Sequence, residues 1–106
     1  MSHLPYSQRG DASTDSFYIT WPLAKLVVET ELIILSIAGR KYEFERSSIQ
    51  DFGVNSILFR QVLRIHHTKS EYPAYLIFWP FHPWAFKSLR AVLEEQGYPV
   101  KEVQSV

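Results

Sequence analysis

A chain of 106 residues is the length of one domain, and 46% hydrophobic residues supply enough apolar surface for a packed core. Eleven basic residues balance eleven acidic ones, which argues against a general nucleic-acid binder, since that affinity rests on a basic surface. There is no cysteine, which excludes a disulfide framework and thiolate chemistry, and no apolar run approaches the length of a membrane span. With a polar start and no transmembrane segment, the expectation is a cytoplasmic protein.

In chain order, residues 1–15 are polar and carry Gly10, Asp11, Ser13 and Thr14; they read as a flexible tail ahead of a single domain over 16–106. Phe17 to Trp21 is a β-type run interrupted by Pro22, which belongs at a sheet edge or a bulge. Leu23 to Glu29 and Leu32 to Ile37 flank the polar Glu29-Thr30-Glu31 and read as a hairpin. Ala38-Gly39-Arg40 is the next turn, with Gly39 free to take positive φ.

Lys41 to Arg46 alternates: Tyr42 and Phe44 point one way, Lys41, Glu43 and Glu45 the other, as in a strand with one wet face. Ser47-Ser48 is a break, Ile49 to Val54 a shorter strand, and Asn55-Ser56 a turn signal. Gln61 to Thr68 alternates again, with Leu63, Ile65 and His67 opposite Val62, Arg64 and His66. Lys69 to Pro73 is a polar loop. Tyr75 to Trp79 is apolar on both faces, so it is central in a sheet or meets a helix.

The chain then changes period. Pro83 suits the first helical position, His82 falls at the cap, and Trp84 to Gln96 is rich in helix formers. Ala85, Leu89, Val92 and Gln96, widened by Phe86 and Leu93, form an apolar stripe. Gly97 is placed to end the helix and Pro99 stops its continuation. The fold class is therefore mainly β with one C-terminal helix, 83–97: six or seven antiparallel strands curled into a barrel whose open corner the helix plugs.

This pattern resembles the pleckstrin-homology-like fold, and more closely the small bacterial PH-like and GRAM-like domains. The likeness is carried by Trp21-Pro22-Leu23-Ala24-Lys25-Leu26, by the strand from Arg40 to Ile49, and by Leu63-Arg64-Ile65-His66-His67 followed by Tyr75 to Trp79 and the helix, over residues 17–98. It implies a lipid-binding, peptide-binding or scaffolding domain without catalytic activity. Inositol-phosphate binding is not carried over: where phosphoinositide-binding members cluster Lys and Arg, this chain has Glu29-Thr30-Glu31, which repels an anionic headgroup.

The chemistry-bearing residues agree with a non-enzyme. His66 and His67 point to opposite faces of a strand and cannot share a metal as a simple pair, so neither a metal nor a cofactor is expected; His67 reads as a core-rim residue with a backbone partner. Glycines are scattered rather than clustered in a phosphate loop, and no serine has a nucleophile-elbow setting. Arg40, Lys41, Arg60, Arg64, His66 and Lys69 are candidates for an anion or partner patch, against which Glu43 and Glu45 stand as pairing carboxylates. Of the aromatic string Phe78, Trp79, Phe81 and Trp84, an exposed Trp79 or Trp84 points to an interface. The leading expectation is a binding or assembly module whose partner is a protein or a copy of itself, docked through a strand edge. The alternative is a peripheral membrane domain that takes anionic lipid headgroups on the basic residues.

Overall fold

A computed structural model describes residues 6–57, 60–80 and 82–102. The strands are β1 (Tyr6–Thr14), β2 (Tyr18–Val28), β3 (Leu32–Ile37), β4 (Arg40–Glu45), β5 (Ile49–Ile57), β6 (Arg60–His67), β7 (Leu76–Pro80) and β8 (Val100–Glu102); helix α1 is Pro83–Glu95. They form one sheet in the order β4-β3-β2-β1-β7-β6-β5-β8, strongly curled into a half-barrel. The protein is mainly β with one helix near its C-terminus, and the described strands number eight rather than six or seven.

Two antiparallel meanders, β1 to β4 and β5 to β7, are joined side by side where β1 pairs with β7. The stretch read as a flexible tail is thus the centre of the sheet: Tyr6 to Val28 and Gly10 to Pro80 are its two registers. Residues 1–5 of that stretch and 103–106 of the expected domain lie outside the described residues. Gly10 explains the close fit, because a Cβ there would stand 1.9 Å from the Trp79 carbonyl oxygen. Asn55 and Ser56, read as a turn, continue β5 and pair with Val62 and Gln61. The short β8 pairs in parallel with β5, Phe52 facing Val100.

Alternation decides which side of the sheet is core. Leu26, Ile33, Leu35, Phe44, Phe52, Ile65 and Phe78 are buried in one cluster, which Phe86, Leu89 and Leu93 of α1 close from the open side. β7 is central and buries both faces, Phe78 inward and Ile77 outward.

Both helix ends follow the sequence. The His82 ring accepts a hydrogen bond from the Ala85 N–H at 3.4 Å. At the other end Gly97 has φ +83°, its N–H bonds the Glu94 carbonyl, and the Tyr98 N–H bonds the Leu93 carbonyl. Those two bonds make a Schellman motif, with Leu93 and Tyr98 buried as its apolar contact.

The curl closes on itself at β4. Tyr72, in the loop before β7, packs edge-on against Tyr42 and Phe44. Its hydroxyl accepts from the Glu43 N–H at 3.2 Å, and Lys69 Nζ donates to the Glu43 carbonyl at 2.7 Å. Part of this outer edge is therefore already occupied.

Candidate functional site

The sequence directed attention to six basic-patch residues, and five of them hold local partners. Arg60 lies 4.0 Å from Asp11 and donates to the Pro80 carbonyl. Lys69 pairs with Glu45 at 3.1 Å, Arg64 stacks over the Tyr75 ring at 5.0 Å, and His66 Nδ1 meets Asp51 at 2.5 Å. Arg64 and His66 share the outer face of β6, two residues apart, as alternation requires. Arg40 and Lys41 open β4 at the β3–β4 turn, where Arg40 lies over the Tyr42 ring. Burial works against the Lys69 ammonium, but the Glu45 carboxylate outweighs it and raises the pKa of Lys69. Glu45 is held below the usual carboxylate range, first by its own backbone N–H and then by Lys69.

His67 has the backbone partner its position required. Its Nε2 lies 2.8 Å from the Pro73 carbonyl, and its Nδ1 accepts from the Lys69 N–H. The latter bond places the proton on Nε2, so the ring is a structural brace for the 69–73 loop beside Phe44. Among the described residues no three His, Asp or Glu side chains gather as a metal site. No described helix is long and apolar enough to cross a membrane.

The residues that stand out physically are apolar ones on the surface. Phe17 (43% exposed), Tyr18 (50%), Trp21 (47%) and Leu23 (56%) occupy the first half of β2 and the turn before it, and Trp84 (77%) stands on the first turn of α1. Gly10 of β1 pairs with Ala24 of β2 on one side and with Pro80, just ahead of α1, on the other. Single exposed apolar residues need no explanation, but a group of large aromatics on neighbouring segments marks an interaction surface.

Asp11 organises this corner from β1. Its carboxylate accepts from the Tyr18 hydroxyl and, at 2.6 Å, from the Trp21 N–H. The Tyr18 hydroxyl pKa is raised, mainly by that hydrogen bond to Asp11 and next by burial. The Tyr18 ring stands edge-on to Trp79, 5.4 Å between centroids. Arg9 donates to the Pro22 carbonyl, and the Trp21–Pro22 peptide is cis. Of the two tryptophans singled out from the sequence, Trp79 is half-buried under Tyr18 and Trp84 is exposed; Phe81 lies outside the described residues.

Phe17, Tyr18, Trp21 and Leu23 were not singled out by sequence reasoning, which took them as ordinary strand. The available signal was Pro22: a proline inside an apolar strand-like run reports an edge, and apolar residues beside an edge need not be core. Asp11 and Asp51 carried no signal, because each acts on the neighbouring strand of a hairpin, Asp11 on Tyr18 and Trp21 and Asp51 on His66, and that register is set by no local period.

No family model matches the chain, and no curated protein or solved structure shows significant similarity to it.

Proposed function

We propose that this protein is a non-catalytic binding or assembly module of pleckstrin-homology-like type, and that its partner surface is the aromatic corner of β2 and α1. The observation that carries the reading is the group of exposed large side chains Phe17, Tyr18, Trp21 and Leu23, in which Asp11 holds the Tyr18 hydroxyl and the Trp21 N–H, together with the exposed Trp84 of α1. Aromatic residues on a fixed backbone are the usual anchors of protein interfaces, since they bury much area at little entropy cost. Support for the pleckstrin-homology-like type comes from the two meanders followed by a helix that closes the curl.

A photo-crosslinking residue at Leu23, with a control at the exposed Glu94 on α1, tests the surface. The expected result is a covalent protein adduct from Leu23 that is absent from Glu94 and absent when Trp21 and Trp84 are changed to Ser. Equal adducts from both positions, or none from Leu23, would overturn the reading.

The membrane alternative has less support, because Arg60, Lys69 and His66 are each engaged by a carboxylate. Co-sedimentation with vesicles rich in phosphatidylserine at low salt is expected to leave the protein in the supernatant; salt-sensitive pelleting would favour the alternative instead.

A further inference from the structure

One row of side chains on the outer face of the sheet is out of keeping with a chain of zero net charge. Arg9 of β1 stands opposite Lys25 of β2, Lys25 opposite Ser36 of β3, and Ser36 opposite Lys41 of β4. The residues beside them, Gly10, Ala24, Ile37 and Tyr42, are buried, so all four point outward. The register is unbroken here; the shift in the β1–β2 pairing comes only after Gly10. With neighbouring strands about 5 Å apart, three cations lie along about 15 Å.

Like charges directly opposite each other on neighbouring strands are destabilising, and here nothing offsets them. Arg9, Lys25 and Lys41 have no ion-pair partner among the described residues. Two residues further along β1 and β4 stand the carboxylates Asp11 and Glu43. Asp11 is taken up by the Tyr18 hydroxyl and the Trp21 N–H, and Glu43 engages Tyr72 and Lys69 through its backbone. The row adjoins the aromatic corner, because Arg9 Nη1 donates to the Pro22 carbonyl at 3.2 Å, between Trp21 and Leu23 in sequence. On its other side Val27 and Ile34, opposite each other and half-buried, form an apolar border.

We propose that the row Arg9, Lys25 and Lys41 is the charged part of the partner surface. Its occupant is an acidic segment of a partner protein, with apolar residues beside its carboxylates. The proposal rests on the binding-module reading above and gives the partner its chemistry. Carboxylates laid across the row supply the counter-charges that the fold leaves out. Apolar side chains of the same segment meet Trp21 and Leu23 on one side of the row, Val27 and Ile34 on the other. A planar anionic bilayer fits this surface less well. Glu43 shares the face, and Asp15 stands exposed at the β1–β2 turn beside Phe17, whereas a peptide can be shaped around both.

Fluorescence anisotropy of the intact chain with a short labelled peptide alternating Leu and Glu tests this; the same peptide with Lys in place of Glu is the control. The Glu peptide is expected to bind, and more weakly as salt rises, while the Lys peptide does not. Lys25→Glu should weaken the Glu peptide about tenfold and favour the Lys peptide instead. Lys25→Gln should weaken binding several-fold yet leave stability in denaturant unchanged or raised, because it relieves the contact with Arg9, which a purely structural role would not do. If Lys25→Glu fails to fold, Arg9→Gln with Lys41→Gln decides the matter. No binding, equal binding of the two peptides, or indifference to these variants would overturn the proposal. Pelleting with phosphatidylserine vesicles that needs the same three cations, without peptide binding, would overturn it in favour of lipid. A Leu23 adduct that persists in Lys25→Glu, with no preference for the acidic peptide, would overturn the acidic partner alone. Loss of both adduct and peptide binding would remove the binding reading as well.

Discussion

Two residues show how sharply single positions constrain this fold. Gly10 is fixed by proximity, since any Cβ would enter the Trp79 carbonyl. Gly10→Ala should destabilise by about 3 kcal/mol, the upper range for overpacking, in denaturant titrations. Gly39 differs: nothing lies within 4 Å of where a Cβ would stand, but its φ is +89°, so Gly39→Ala should cost only about 1 kcal/mol of backbone strain. Tyr98 is fixed by its hydroxyl, which donates to the Glu29 and Thr30 carbonyls while Arg46 covers its ring. Burial, ahead of every other influence, raises its pKa above 10.0. A phenol with a raised pKa in the folded state stabilises the fold below the unfolded value and loses that contribution as pH rises through the folded one. Alkaline unfolding above about pH 10 should therefore be less pH-dependent in Tyr98→Phe, at a cost near neutrality of about 1 kcal/mol for the lost hydrogen bonding.

Elements differ in how much of their sequence is spent on the core. Helix α1 buries Phe86, Leu89 and Leu93 and leaves Trp84 in solvent. Phe86→Ala should cost about 3–5 kcal/mol by thermal or denaturant unfolding. Trp84→Ala should change stability by less than about 0.5 kcal/mol, because its ring stands outside the core, beside the cap residue His82. A large loss of stability in Trp84→Ala would show that it is structural. The helix was legible residue by residue, since its caps and stripe are local properties of consecutive side chains. So was β4, whose Tyr42 and Phe44 alternate with Lys41, Glu43 and Glu45 as its burial does. Strand β1 was not legible, for a physical reason. Its inward positions are Gly10, Ala12 and Thr14, small because β7 and β2 press close, and small residues leave no hydrophobic alternation to read.

At the scale of the whole molecule, the curl is held by β1 against β7 and by the seam at β4. The seam depends on Tyr72 and Lys69 supplying a hydroxyl and an ammonium to one exposed residue's backbone, that of Glu43. Tyr72→Phe should leave the Glu43 N–H unpartnered and speed its amide hydrogen exchange, with little change at Leu35 in the buried β3. The Lys69–Glu45 pair adds a pH dependence. A carboxylate held below its usual pKa contributes stability above the unfolded value, and that contribution fades as pH falls through the lowered one. Acid unfolding should accordingly be less steep in Glu45→Gln.

What the amino-acid order determined alone is whatever depends on neighbours along the chain: the periods of β4 and β6, the turns after β2 and β3, the helix with both its caps, and the absence of cysteine chemistry. Pro22 even announced an edge. What only the tertiary structure decided is everything that pairs residues distant in sequence. It made residues 6–14 the central strand and placed Asp11 under Tyr18 and Trp21. It also gave local partners to five of the six candidate patch residues and left the first half of β2 without a strand on its β3 side among the described residues. A side chain's burial depends on which strand the sheet lays beside it, and the order of strands in a sheet is not encoded in any local period.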